Sequence, residues 1–98
     1  MDEELLAKQL PQSLEAEQSV LGSILIDSRC VTDVIGLVTP DDFYQRQNRE
    51  IYEAIYTMFN FSQTIDPVTV LDKLKELGYY HDNSRDYILQ LKIGRAHV

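Results

Sequence analysis

The hydrophobic positions of this 98-residue chain recur at intervals of three and four residues, the spacing of one face of an α-helix. Leu14, Leu21 and Leu25 form the first such stripe. Ser13 precedes it and is a favourable N-cap, and acidic residues follow in the first turn, where they stabilise the positive end of the helix dipole. The pattern predicts a helix over residues 14–26.

The next apolar positions, 31, 34, 35 and 38, predict a second helix. Asp27 or Ser28 is its expected cap, and it should end before Thr39. These β-branched residues also suit a strand, but the strict alternation of a strand is missing. Thr39 and Pro40, followed by two aspartates, then have the composition of a fresh helix start.

Two stronger helices follow. Residues 48–61 carry apolar side chains on more than one face, which predicts a central helix with neighbours on two sides. Asp66 begins another start signal, and an apolar stripe runs through residues 67–77. Gly78 suits the left-handed position after a helix, with Tyr79 closing a Schellman motif.

A fifth helix is predicted from Arg85 onwards, so the chain contains four to five short helices and no convincing strand. The fold class is all-α, a compact orthogonal bundle. The length suits one domain with one modest core. We place a loose lead-in at residues 1–10 and the domain at residues 11–91.

Charge and composition narrow the class of function. The formal net charge is −7, from 9 basic and 16 acidic residues, whereas proteins that bind nucleic acid neutralise phosphates with Lys and Arg. Protein partners are therefore favoured over DNA. A single cysteine, Cys30, fits a reducing compartment. The chain shows neither a secretory signal nor a membrane span, so we expect a cytoplasmic protein without a membrane partner.

The sequence shows no catalytic signature. It lacks both the G-x-x-x-x-G-K-[ST] phosphate loop and the G-x-G-x-x-G motif. His81 and His97 lie far apart, with no ligand-spaced partner that would indicate a metal site. We therefore predict no catalytic, cofactor-binding or metal-binding residues in this chain.

Candidate partner contacts rest on exposure and on the enrichment of tyrosine at protein interfaces. Three tyrosines flank the loop before the fifth helix, where core and interface are open alternatives. Together with one acidic residue of the first helix, the candidates are Glu15, Tyr79, Tyr80 and Tyr87.

The last residues break the helical pattern. Residues 93–98 (IGRAHV) back-translate as ATC GGA AGA GCA CAC GTC, which resembles a common sequencing-library adapter read in frame. We interpret residues 92–98 as a non-native tail, and we expect the native protein to continue beyond Leu91.

Four strings carry a family resemblance: PQSLEAEQSVLG at residues 11–22, PDDFY at 40–44, NREIY at 48–52, and ID with VTV at 65–70, followed by Gly78. Their order and spacing resemble the N-terminal domain of DnaB-type bacterial replicative helicases, from residue 11 to about residue 91. Each string also builds a cap or a core helix, so the family is identified through its scaffold.

The resemblance implies the N-terminal collar of a hexameric, ATP-dependent helicase that unwinds DNA at the replication fork. Primase and a helicase loader are the implied partners. ATP, magnesium and DNA would bind to a C-terminal motor domain, which this sequence does not contain. The helical hairpin that pairs neighbouring subunits in the family is missing too, which puts self-association of this fragment in doubt. We expect the fragment alone to be inactive.

Two alternatives stay open at this point. One is a stand-alone helical adaptor without a motor. The other is a DNA-binding module that uses Arg46, Arg49 and nearby tyrosines, with strongly salt-dependent binding. The acidic net charge argues against the second.

Overall fold

Helices account for most of the chain. The computed structural model describes residues 13–94, and no strand occurs in that range. The α-helices are α1 (Leu14–Ile26), α2 (Cys30–Ile35), α3 (Arg46–Asn60), α4 (Pro67–Leu77) and α5 (Ser84–Gly94), with a short 3₁₀ helix at Pro40–Asp42. The predicted all-α class is confirmed. The predicted lead-in at residues 1–10 and residues 95–98 of the predicted tail lie outside the described residues.

Local signals set the bounds of α1 and α4, which are those that the sequence predicts. At the start of α4, the Asp66 carboxyl accepts a hydrogen bond from the Thr69 amide at 2.9 Å. At its end, Gly78 adopts φ +81°, and the Tyr79 amide donates to the Leu74 carbonyl at 2.8 Å. These are the geometry and the bond of the predicted Schellman motif.

Helix α2 is shorter than predicted, and its predicted caps do not act. Arg29 precedes it and makes no capping side-chain bond. The Asp27 carboxyl accepts instead from the Arg29 amide at 3.1 Å and from its guanidinium at 2.9 Å. Val38, predicted as helical, lies beyond the helix in the core, and its carbonyl accepts from the Tyr52 hydroxyl at 2.7 Å.

The start signal at Thr39 produces a single 3₁₀ turn. The Thr39 amide donates to the Asp42 carboxyl at 2.8 Å, and the backbone then becomes extended at Phe43, whose side chain enters the core. Helix α3 begins at position 46, two residues earlier than the predicted 48. The Gln45 side chain makes this possible because it accepts from the Asn48 amide at 3.0 Å.

Helix α3 is central, as predicted. It packs against α1, α4 and the 3₁₀ helix, while α5 packs against α1 and α4. Tyr52 is fully buried on α3, with its ring centroid 4.8 Å from that of Phe43. The largest fully buried apolar side chains of the core come from α1, α3, α4, α5 and the segment between the 3₁₀ helix and α3: Tyr52, Phe43, Leu21, Ile24, Ile51, Ile55, Met58, Leu74 and Ile88.

Candidate functional site

The four predicted contact residues differ in exposure. Glu15 is exposed in the first turn of α1. Tyr80 is 38 % exposed, with the Lys75 Nζ 5.0 Å from its ring centroid. Tyr79 and Tyr87 are half-buried and hydrogen-bonded within the domain. Burial supports the core alternative for these last two, and partner contact stays a prediction for all four.

The most buried acidic side chain of the described region is Glu17 on α1, at 1 % exposure. Its two carboxyl oxygens accept from three donors: the Tyr44 amide at 2.6 Å, the Gln45 amide at 3.3 Å and the Asn48 Nδ2 at 2.8 Å. Burial of a polar group is costly unless it is hydrogen-bonded, and here the bonds are made. Glu17 therefore fixes α1 to the loop before α3.

The same network continues into α5. The Asn48 Oδ1 accepts from the Tyr87 hydroxyl at 2.5 Å, and that hydroxyl accepts from the Gln18 Nε2 at 3.2 Å. Burial raises the pKa of Tyr87, which keeps its phenol in the neutral, donating form. The network thus joins α1, α3 and α5. The sequence-based prediction included Tyr87 but missed Glu17 and Asn48.

The loop between the 3₁₀ helix and α3 is held from a second side by Arg49. Its Nε donates to the Phe43 carbonyl and its Nη2 to the Tyr44 carbonyl, both at 3.2 Å. Phe43 is buried, whereas the side chain of Tyr44 is 89 % exposed. The backbone of this loop is therefore anchored while one aromatic ring projects outward.

Arg46, the first residue of α3, makes an ion pair with Glu50 one turn further along the helix. Its Nε lies 3.3 Å from the Glu50 Oε2, and the other Glu50 oxygen lies 3.0 Å from the His81 Nε2. Arg46, Glu50 and His81, together with Gln45, Gln47 and Asn83, line an open depression of about 320 Å³. Arg46 and Arg49, the basic residues of the DNA-binding alternative, are thus both engaged in intramolecular contacts.

Within residues 13–94, no three His, Cys, Asp or Glu side chains form a group that could hold a metal ion. The sequence of the chain contains no G-x-x-x-x-G-K-[ST] phosphate-binding loop. Among the helices of residues 13–94, none is long and apolar enough to cross a bilayer.

The fold and the site define a class: a small helical domain with an internal polar network and exposed aromatic side chains. The family model described as "DnaB-like helicase N terminal domain" matches residues 9–94. The chain therefore belongs to the family of DnaB-like helicase N-terminal domains, and the resemblance seen in its four sequence strings is confirmed.

Individual relatives agree with this assignment. The chain is 38 % identical over 68 residues to the replicative DNA helicase DnaB of Leifsonia xyli, and 37 % identical over 71 residues to that of Mycobacterium leprae. It is also similar to the crystal structure of the N-terminal domain of DnaB helicase from Mycobacterium tuberculosis, with a TM-score of 0.79 and 34 % identity.

The matched regions are short parts of the relatives. They cover 69 % of this chain but 15 % of the Leifsonia protein, and 72 % of this chain but 12 % of the Mycobacterium leprae protein. The structural match covers 87 % of this chain and 60 % of the Mycobacterium tuberculosis domain. The similarity therefore concerns one domain of proteins that are much longer.

Proposed function

We propose that this domain is the N-terminal collar and docking domain of a hexameric, ATP-dependent replicative DNA helicase. In this role it helps to assemble the subunits and binds primase and the helicase loader at the replication fork. The observation that carries the proposal is the family match over residues 9–94. The exposed aromatic side chains and the acidic net charge of −7 support a protein-binding role.

The proposal assigns the chemistry to another part of the parent protein. ATP and magnesium would bind to a C-terminal motor domain, and DNA would be contacted there as well. We expect the 98-residue chain by itself to hydrolyse no ATP. Robust ATP turnover by the pure chain would contradict this, provided that a mock preparation purified in the same way shows none.

Docking is tested by titrating the 98-residue chain with the C-terminal domain of a bacterial primase in a calorimeter. We expect a saturable complex, weakened by Tyr80→Ala and by Glu15→Ala, since these predicted contacts are exposed. A helical domain of similar net charge from an unrelated protein is the control. If the folded chain gives no more heat than this control, the primase part of the proposal is wrong.

The DNA-binding alternative was predicted from two arginines, Arg46 and Arg49. Arg49 donates to two backbone carbonyls. Arg46 is paired with Glu50 through one nitrogen, but its side chain is 81 % exposed, so only this arginine is open to phosphates, and the net charge of −7 opposes DNA binding. We expect a flat titration with single-stranded DNA at low salt. Strong, salt-dependent binding would restore this alternative.

A further inference from the structure

The ring of Tyr44 is presented to solvent in an unusual way for a large aromatic side chain. It is 89 % exposed, the highest value among the exposed large hydrophobic residues of the described chain. The preceding residue, Phe43, is 1 % exposed. The chain thus inserts one aromatic side chain into the core and directs the next one outward.

The backbone beneath this ring is fixed by side chains from two helices. The Tyr44 amide donates to the Glu17 carboxyl at 2.6 Å, and the Tyr44 carbonyl accepts from the Arg49 guanidinium at 3.2 Å. Glu17 is itself buried. Only the two side-chain torsions of the tyrosine remain to be ordered by a partner, which lowers the entropic cost of binding.

The charges near the ring favour a cationic partner. Asp41 and Asp42 precede it and are both exposed. The two basic residues that follow along the chain both have partners: Arg46 is paired with the Glu50 carboxylate, and Arg49 donates to the carbonyls of Phe43 and Tyr44 in the backbone beneath the ring. A cation is attracted both by neighbouring carboxylates and by the face of a tyrosine ring.

We propose that Asp41, Asp42 and Tyr44, together called the Tyr44 surface, form a docking site for a segment of a partner protein that carries arginine or lysine. The cationic group would lie on the Tyr44 ring beside the two carboxylates. A second copy of this chain fits less well because it has the same net charge of −7. The proposal deepens the docking function and rests on it, but it does not require the partner to be primase.

The test uses a fluorescein-labelled peptide of alternating arginine and alanine, titrated against the 98-residue chain at low ionic strength and followed by anisotropy. Tyr44→Ala should weaken the affinity about tenfold. Tyr44→Phe, which keeps the ring, should stay within about twofold, and Asp41→Asn should weaken binding about threefold. Urea midpoints establish that each variant is folded.

Phe61→Ala is the matched control. Phe61 is an exposed aromatic residue, at 71 %, directly after the other end of the 15-residue helix α3, about 22 Å away along the axis. Its removal should leave peptide affinity unchanged. The proposal is overturned if Tyr44→Ala and Phe61→Ala behave alike, if the chain does not bind the peptide, or if an alternating glutamate and alanine peptide binds equally well.

Three further outcomes separate this proposal from the other proposals for the domain. Self-association that Tyr44→Ala abolishes would assign the surface to a second copy and overturn the basic partner. Primase binding that Tyr44→Ala leaves unchanged, with no peptide binding, would retain the docking function and reject the Tyr44 surface. Peptide binding through Tyr44 without primase binding would retain the Tyr44 surface and reject only the primase part of the docking function.

Discussion

At the scale of a single residue, the Glu17 side chain stabilises the interior of the domain by accepting three hydrogen bonds. Glu17→Ala leaves the Tyr44 and Gln45 amides and the Asn48 side chain without their acceptor. Because unsatisfied buried donors are costly, we expect the free energy of unfolding to fall by about 2–4 kcal/mol. Urea unfolding at neutral pH, followed by circular dichroism, measures this.

Glu15→Ala is the control for that experiment. Glu15 lies two residues earlier on the same helical turn and is exposed, so its loss should change the free energy of unfolding by about 0.5 kcal/mol or less. Equal effects of the two substitutions would show that the Glu17 network contributes nothing beyond a charge at the start of α1.

Buried tyrosines make the domain sensitive to high pH. Burial raises the pKa of Tyr52 above its ordinary value of 10.0. Since the folded-state pKa lies above that of the unfolded chain, the stabilisation is fully present below about pH 10 and is lost as the pH rises through the folded-state pKa. We expect the free energy of unfolding to decrease above about pH 10.

Tyr52→Phe tests this assignment, because phenylalanine has no phenol to ionise. Its free energy of unfolding should decrease less steeply with pH over the same alkaline range. The variant also loses the hydrogen bond to the Val38 carbonyl, so the slopes are compared rather than the absolute values. Identical slopes for the variant and the wild type would refute the role of Tyr52.

The polar network of Glu17 and Asn48 was not predicted from the sequence, because glutamate and asparagine side chains are usually exposed to solvent. A glutamate in the first turn of a helix is generally interpreted as an exposed partner of the dipole. However, position 17 precedes apolar residues at 20, 21 and 24, and position 48 precedes those at 51, 52 and 55. Both thus lie on an apolar face at spacings of three, four and seven, a signal of burial that was available.

The end of α4 shows how one backbone conformation determines an element. Gly78 has φ +81°, where a side chain is strained, so Gly78→Ala should cost about 1–2 kcal/mol. Gly36→Ala is the control, since Gly36 has φ −84° and a Cβ there would meet nothing within 4 Å. Its effect should be about zero or slightly stabilising. Equal losses in thermal unfolding would contradict the left-handed role of Gly78.

Helices with a cap, a stripe and an end signal were predictable from the sequence. The bounds of α1 and α4 follow from such signals. Helix α2 ends early because Val38 packs into the core outside the helix. The start signal at Thr39 gives only a 3₁₀ turn because the buried Phe43 requires extended backbone. Both differences come from tertiary packing, which local propensity does not include.

At the scale of the whole molecule, the domain combines a hydrogen-bonded interior with an acidic net charge. The network of Glu17, Asn48 and Tyr87 joins three helices, and the chain carries a net charge of −7. This combination is consistent with the docking function that we propose. The motorless adaptor stays the main alternative, because the matched region is 15 % of the Leifsonia relative.

The boundary at Leu91 and the non-native character of residues 92–98 also stay predictions at this scale. Helix α5 continues to Gly94, so helix geometry does not separate native residues from a tail. The coding sequence decides both this question and the identity of the parent protein.

The genomic DNA beyond the codon for Leu91 is therefore the measurement that tests the central claim most directly. The account predicts that the frame leaves the adapter-like codons and continues through a helical hairpin into a motor domain with the G-x-x-x-x-G-K-[ST] loop. A stop codon directly after Val98, with the same codons in the genome, would contradict it. The chain would then be a free-standing helical module, and the proposal of a helicase collar would be withdrawn.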